Sequence, residues 1–195
     1  DTIMRVNYDI DLDTFQHIAQ LSLGELKDHL LSCKGEEIAQ IGTALTGVMA
    51  AALAKLLDVH ELIFIAKQLN HPTQARTQIG LPGTLSSRLQ PNHPTDDLSG
   101  VTLLIYIGLS MASGDCLIGL NPSVDTVDNI ESLLRHLDQL RRQTEAPTQI
   151  CVLSHVKTQL ACLERGAPVE IMFQSLAGTD RTLIEEFDVT VDMLD

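Results

Sequence analysis

Across 195 residues the chain carries 44% hydrophobic side chains, but aromatics make up only 3% and tryptophan is absent, so its core is aliphatic. Asp and Glu outnumber Lys and Arg 26 to 13, a formal charge of −13 with no basic stripe, which speaks against nucleic acid as a partner. The longest apolar stretch, residues 44–57, is broken by Thr46, Gly47 and Lys55 and is shorter than the ~18 residues of a membrane span. It is therefore expected to be a buried helix, and no membrane partner is expected.

The first third reads as helical. Residues 12–31, 36–57 and 59–69 carry apolar side chains at helical spacing, with Ser22 and Asp58 as expected caps. Asn70, His71 and Pro72 break this pattern. From residue 77 one unit recurs, a short apolar run ending in polar, Pro or Gly residues and followed by an amphipathic helix.

The first run is 77–84, with a loop through Arg88, Gln90 and Asn92 and a helix capped at Thr95 or Asp96 that runs through 101–111. The second, 115–120, ends in Asn121-Pro122. Its helix has the clearest stripe in the chain, Val127, Ile130, Leu133, Leu134, Leu137 and Leu140. The third, 149–153, ends in Ser154-His155 with a helix over 158–165. The fourth, 169–173, ends in Gln174-Ser175 with a helix over 181–187.

Continuous rather than alternating runs indicate strands buried on both faces, and helices between them imply parallel crossovers. This predicts an α/β fold, the first half of a (β/α)₈ TIM barrel preceded by N-terminal helices. Residues 1–76 are the helical segment and 77–195 the first four βα units. A doubly wound sheet is the architectural alternative, but Gly80 and Gly83 do not make a G-x-G-x-x-G phosphate loop. The chain begins at Asp1 and stops at Asp195 in an acidic segment, and both ends read as cut.

In a barrel the carboxyl ends of the strands converge on one site. Those ends offer Arg88, Gln90, Asn92, Asn121, Ser154, His155, Gln174 and Ser175, mostly neutral amides and hydroxyls with one fixed cation. Such groups suit a small substrate bearing a hydroxyl and an amine. Each also has a plainer reading. Arg88 would be a surface arginine, Asn121-Pro122 a turn, His155 a hydrogen-bonded supporting histidine, and Asp96 a helix cap rather than a metal ligand with His93 and Asp97.

The acids Glu185, Glu186, Asp188, Asp192 and Asp195 read as a solvated face. Cys33, Cys116, Cys151 and Cys162 form no C-x-x-C pair, and the last three lie in apolar runs, so buried free thiols are expected and zinc is not. No nucleophile–base pair, metal motif or phosphate loop is visible, and the residues alone name no reaction.

At these strand ends the sequence resembles the large subunit of ethanolamine ammonia-lyase. The likeness is carried by Ile79-Gly80-Leu81-Pro82-Gly83-Thr84, by Ser87-Arg88-Leu89-Gln90-Pro91-Asn92 with Asp96-Asp97, and by Ser113-Gly114-Asp115 with Ile118-Gly119-Leu120-Asn121-Pro122. Cys151-Val152-Leu153-Ser154-His155-Val156, Glu164-Arg165-Gly166-Ala167-Pro168 and Phe173-Gln174-Ser175-Leu176-Ala177-Gly178 complete it.

The resemblance implies a (β/α)₈ barrel that works with a small subunit and adenosylcobalamin, a cobalt-containing corrinoid, to convert ethanolamine to acetaldehyde and ammonia. It implies a homo-oligomer of large subunits in the cytoplasm or in a bacterial microcompartment. Arg88, Gln90 and Asn121 match substrate-binding positions, and Pro122 and Gln174 match positions lining the corrinoid. The family's substrate-binding carboxylates come from later strands, so this chain alone is expected to be inactive. Two other functions compete: a non-catalytic corrinoid-binding or assembly module of the same fold, and another barrel lyase or aldolase using Lys157.

Overall fold

A computed structural model describes residues 2–69 and 71–194. Asp1, Asn70 and Asp195, which enter the expectations for the chain ends, the break and the acidic face, lie outside the described residues. The fold is mixed α/β and divides into two compact units, Asp1–His71 with Leu176–Asp195, and Pro72–Ser175.

The first unit opens with α1 (Thr2–Asn7), α2 (Leu12–Ile18), α3 (Leu23–Ser32), α4 (Gly35–Thr43), α5 (Gly47–Leu56) and α6 (Val59–Gln68). Ser22 and Asp58 are N-caps, as expected, each in a reciprocal box with Glu25 and Glu61. The two longer expected helices are each divided. The hydroxyl of Ser22 accepts from Glu25 N–H, and that of Thr46 accepts from Met49 N–H at 3.3 Å, so each starts a new helix in mid-pattern.

Ile18, Leu26, Leu30, Ile38, Ile41, Ala44 and Leu53 form this unit's core. The expectation that residues 44–57 make one buried helix is corrected. Only Leu53 of α5 is buried, while Val48 is 73% exposed, because one face of α5 meets the core.

The second unit begins with an antiparallel pair, β1 (Thr73–Gln74) and β2 (Gln78–Ile79). It continues with β3 (Arg88–Leu89), α7 (Leu98–Ser110), β4 (Leu117–Leu120), α8 (Val127–Thr144), β5 (Gln149–Val152) and α9 (Val156–Glu164). β3, β4 and β5 form a three-stranded parallel sheet in sequence order, with a helix in each connection. The helix α10 (Asp180–Phe187) follows near the chain's end.

Cα partners set the register: Arg88 with Leu117, Leu89 with Ile118, Gly119 with Cys151 and Leu120 with Val152. Because strand side chains alternate, Leu89, Ile118, Leu120, Ile150 and Val152 share one face. That face packs with Val101 and Ile105 of α7 and with Ile130, Leu133, Leu134, Leu137 and Leu140 of α8. The predicted stripe of α8 is thus its buried side. Each fully buried Leu or Ile stabilises the fold by ~1.5–3 kcal/mol. The opposite face carries Arg88, Leu117, Gly119, Gln149 and Cys151.

Two expected strands fall elsewhere. The first parallel strand is Arg88–Leu89 rather than the run at 77–84. That run contributes only β2 before Gly80 and Gly83 turn it away with positive φ of 83° and 78°. The run at 169–173 forms no strand among the described residues. Side chains take its polar groups instead: the Gln159 amide accepts from Phe173 N–H at 3.0 Å and donates to Phe173 C=O at 2.5 Å. Within the run, the Glu170 carboxylate accepts from Ile150 N–H of β5 at 2.9 Å.

Candidate functional site

The carboxyl ends of β3, β4 and β5 are joined by a series of stitches, each a polar side chain on the backbone of an adjacent connection. Asn92 Oδ1 accepts from Asn121 N–H at 2.8 Å, tying the end of β3 to the end of β4. Asp125 Oδ2 accepts from His155 N–H at 2.7 Å, tying the β4–α8 loop to the β5–α9 loop. Gln174 Oε1 accepts from Val156 N–H at 2.9 Å, bringing the segment after residue 173 to the start of α9. Asn92, Asn121, His155 and Gln174 therefore gather at one end of the sheet.

Asp96 is the strongest clamp. It is buried, sits at positive φ, and its carboxylate accepts from Ser123 N–H at 2.8 and 2.9 Å, Val124 N–H at 3.2 Å and Asn129 Nδ2 at 2.7 Å. Burial works to raise its pKa, but the bonds from Ser123, Asn129 and Val124 outweigh it and hold the carboxyl below its ordinary value. Helix α7 is capped by Asp97 instead, which accepts from Gly100 N–H at 2.8 Å. This corrects the expected cap at Thr95 or Asp96.

His155 is the N-cap of α9, its Nδ1 accepting from Lys157 N–H at 3.1 Å. That is a structural task rather than a base's. Ser154 is buried, and among the described residues its hydroxyl has no hydrogen-bond partner.

Three longer side chains are also unengaged. Arg88, Gln90 and Asn121 are all exposed, and among the described residues no hydrogen bond or ion pair involves their side chains. Arg88 lies in β3, its Cα opposite Leu117 at the start of β4, rather than in the loop beyond a strand. Its guanidinium reaches along the sheet to lie over Gly119. Continuing the register and alternation by one step places Gln90 opposite Gly119, and Asn121 on the same face just past Leu120. Cys151 lies across the sheet from Gly119 and is buried. Burial pushes its thiol pKa up, with the Arg88 charge opposing.

Arranged this way, the open face offers one unpaired planar cation and two unpaired amides at the ends of neighbouring strands. A guanidinium donates to oxygen with charge assistance, and a carboxamide both donates and accepts. The chain matches the family model described as "Ethanolamine ammonia lyase large subunit (EutB)" over residues 1–195. It belongs to that family. The ethanolamine ammonia-lyase large subunits of Escherichia coli strain K12 and Salmonella typhimurium strain LT2 are each 39% identical to it over 189 residues. These matches cover 96% of the chain and 42% of each relative, so the chain spans about two fifths of their length.

In this member of the ethanolamine ammonia-lyase family, reading the residues alone missed Asp125, Gln159 and Gly119. Asp125 and Gln159 act through backbone groups 30 and 14 residues away, respectively, so no local pattern marks them. A glycine inside an apolar run was the one available signal for Gly119. Cys33, Cys151 and Cys162 are buried free thiols, whereas Cys116 is only half-buried. No described helix is long and apolar enough to cross a membrane, and no cluster of three or more metal-ligating side chains occurs among the described residues.

Proposed function

We propose that the chain forms the first half of the (β/α)₈ TIM barrel of an ethanolamine ammonia-lyase large subunit. Residues 1–76 are its N-terminal helical segment and 77–195 its first four βα units, with 169–173 taking the fourth strand's place. The whole subunit, with a small subunit and adenosylcobalamin, converts ethanolamine to acetaldehyde and ammonia. It works as a homo-oligomer in the cytoplasm or a bacterial microcompartment. Parallel strands in sequence order, covered on one face by the intervening helices, support the barrel.

One observation carries the assignment of the site. Among the amide and charged side chains at the strand ends, Arg88, Gln90 and Asn121 are left without partners among the described residues, while Asn92, Asp96, His155 and Gln174 each hold the scaffold through a hydrogen bond. Arg88 donates charge-assisted hydrogen bonds to the substrate hydroxyl. The same cation repels the substrate ammonium, so the molecule lies with its hydroxyl toward Arg88 and its amine toward the carbonyls of Gln90 and Asn121. The anionic partners of the ammonium belong to later strands, so this stretch alone does not turn over.

Pro122 and Gln174 face the corrinoid in this reading, and the donor set fits it. A corrin is an apolar plate fringed with carboxamides. Pro122 offers a half-buried ring, and Gln174 keeps one N–H and one lone pair beyond its bonds to Ser175 C=O and Val156 N–H. When bound, adenosylcobalamin supplies the radical chemistry, and the chain's own residues bind and orient the substrate.

The test is steady-state kinetics and cofactor titration of Arg88→Ala and Arg88→Lys in the full-length large subunit with its small subunit. Loss of a charged hydrogen bond lowers kcat/KM by about tenfold to a hundredfold. Lysine recovers only part, because it keeps the charge without the fork, and corrinoid affinity is unchanged. A near-normal kcat/KM in Arg88→Ala would return this residue to the surface arginines.

A further inference from the structure

Gly119 is an unusual residue to find in the middle of β4. Its backbone is not among the positive-φ conformations that favour glycine, and glycine weakens a strand interior, so its place there needs another reason. A Cβ built on it would lie 2.7 Å from Arg88 Nε, 2.9 Å from Nη2 and 3.0 Å from Cζ. These are its three nearest neighbours, and all belong to one guanidinium. No hydrogen bond or ion pair holds that guanidinium among the described residues, so what locates it is the bare backbone beneath it.

We infer that Gly119 is a positioning residue for Arg88, a side-chain-free seat on β4 that lets the guanidinium lie against the sheet and face the substrate. The inference rests on the reading of Arg88 as a substrate ligand. The neighbouring strand continues the seat, since Cys151, the Cα partner of Gly119, shares its face and is buried.

A methyl group at position 119 must push the guanidinium back by roughly 0.7 Å, from 2.7 Å to the 3.4 Å of ordinary contact. The strand tolerates this, because the atoms that move are the far end of a flexible side chain. The substrate does not, since a misplacement of about 1 Å can cost on the order of a hundredfold in rate.

The experiment is a double-mutant cycle on the full-length large subunit with its small subunit and adenosylcobalamin, comparing Gly119→Ala, Arg88→Ala and the double variant. Gly119→Ala is expected to lower kcat/KM for ethanolamine by about tenfold, mainly through KM, with unchanged thermal midpoint and corrinoid affinity. In the Arg88→Ala background the same substitution changes kcat/KM by less than about twofold, because the group it displaces is gone.

Normal kinetics in Gly119→Ala, or equal losses in both backgrounds, would overturn the seat. If Gly119→Ala alone fails to assemble, the double variant decides. Assembly restored by removing the guanidinium supports the inference, and failure of both overturns it. A near-normal Arg88→Ala sinks the substrate reading itself, whereas a damaged Arg88→Ala beside a normal Gly119→Ala sinks only the seat.

Discussion

The two faces of the parallel sheet come from the same strands, alternating residue by residue, yet they are built on opposite terms. One face presents Leu89, Ile118, Leu120, Ile150 and Val152 to α7 and α8, and burial decides every position on it. The other carries a cation, a glycine and a buried thiol, followed at the strand ends by two amides, and there the key side chains are left without partners. The contrast separates stability from function on a scale of one residue. Substitutions on the covered face should unfold the chain, and those on the open face should leave it folded and impair binding.

The largest effect belongs to the covered face. Ile118→Ala removes a side chain that is 1% exposed and should lower the unfolding free energy of this chain by about 2–5 kcal/mol in denaturant titrations. A loss below ~1 kcal/mol would blur the distinction between the faces. Next comes the clamp between the strand-end loops. Asp96→Ala strips the partners from Ser123 N–H, Val124 N–H and Asn129, and should cost about 1–3 kcal/mol. Asp96→Asn, which keeps acceptor oxygen on one side, should cost less.

The pH dependence of stability follows from the same clamp. The Asp96 carboxyl is depressed in the folded state, as is that of Asp115, whose carboxylate accepts from Ser87 N–H. Their stabilisation is therefore complete above the unfolded value of ~3.9 and is lost as pH falls through the lower folded values. Acid titration of the unfolding midpoint should show a steeper fall below about pH 4 in the native chain than in Asp96→Asn, and identical curves would remove Asp96 from the account. The smallest effect is expected on the open face. Arg88→Ala should change stability by no more than ~0.5 kcal/mol, since the side chain is exposed and unpaired. A loss above ~1 kcal/mol would make it part of the scaffold.

What could be read in the sequence follows this division. The apolar stripe of α8, Val127 to Leu140, repeats over about four turns, so periodicity locates the helix and its buried side. The cores of β4 and β5 were legible as continuous apolar runs between turn residues. A two-residue strand such as β3 has no periodicity to detect, and its first residue is an arginine, so apolar content points instead to the preceding run. The run at 169–173 has strand-like composition, but Gln159, 14 residues away, takes the backbone groups of Phe173 and the run's own Glu170 reaches to Ile150 N–H of β5, a tertiary choice absent from local sequence.

At the strand ends, residue types single out a set of polar side chains. Composition could not divide that set into groups that hold the loops and groups left open, because Asn92 and Asn121 are the same amino acid in similar settings. Only the hydrogen bonds tell them apart.

The most direct measurement of that separation is a crystal structure of the full-length large subunit with its small subunit and bound ethanolamine. It should place the substrate hydroxyl within hydrogen-bond reach of the Arg88 guanidinium and the amine toward Gln90 and Asn121, with Asn92 still on Asn121 N–H and Gln174 still on Val156 N–H. Ethanolamine bound away from the open face, or held by Asn92 and His155 with Arg88 turned to solvent, would contradict it.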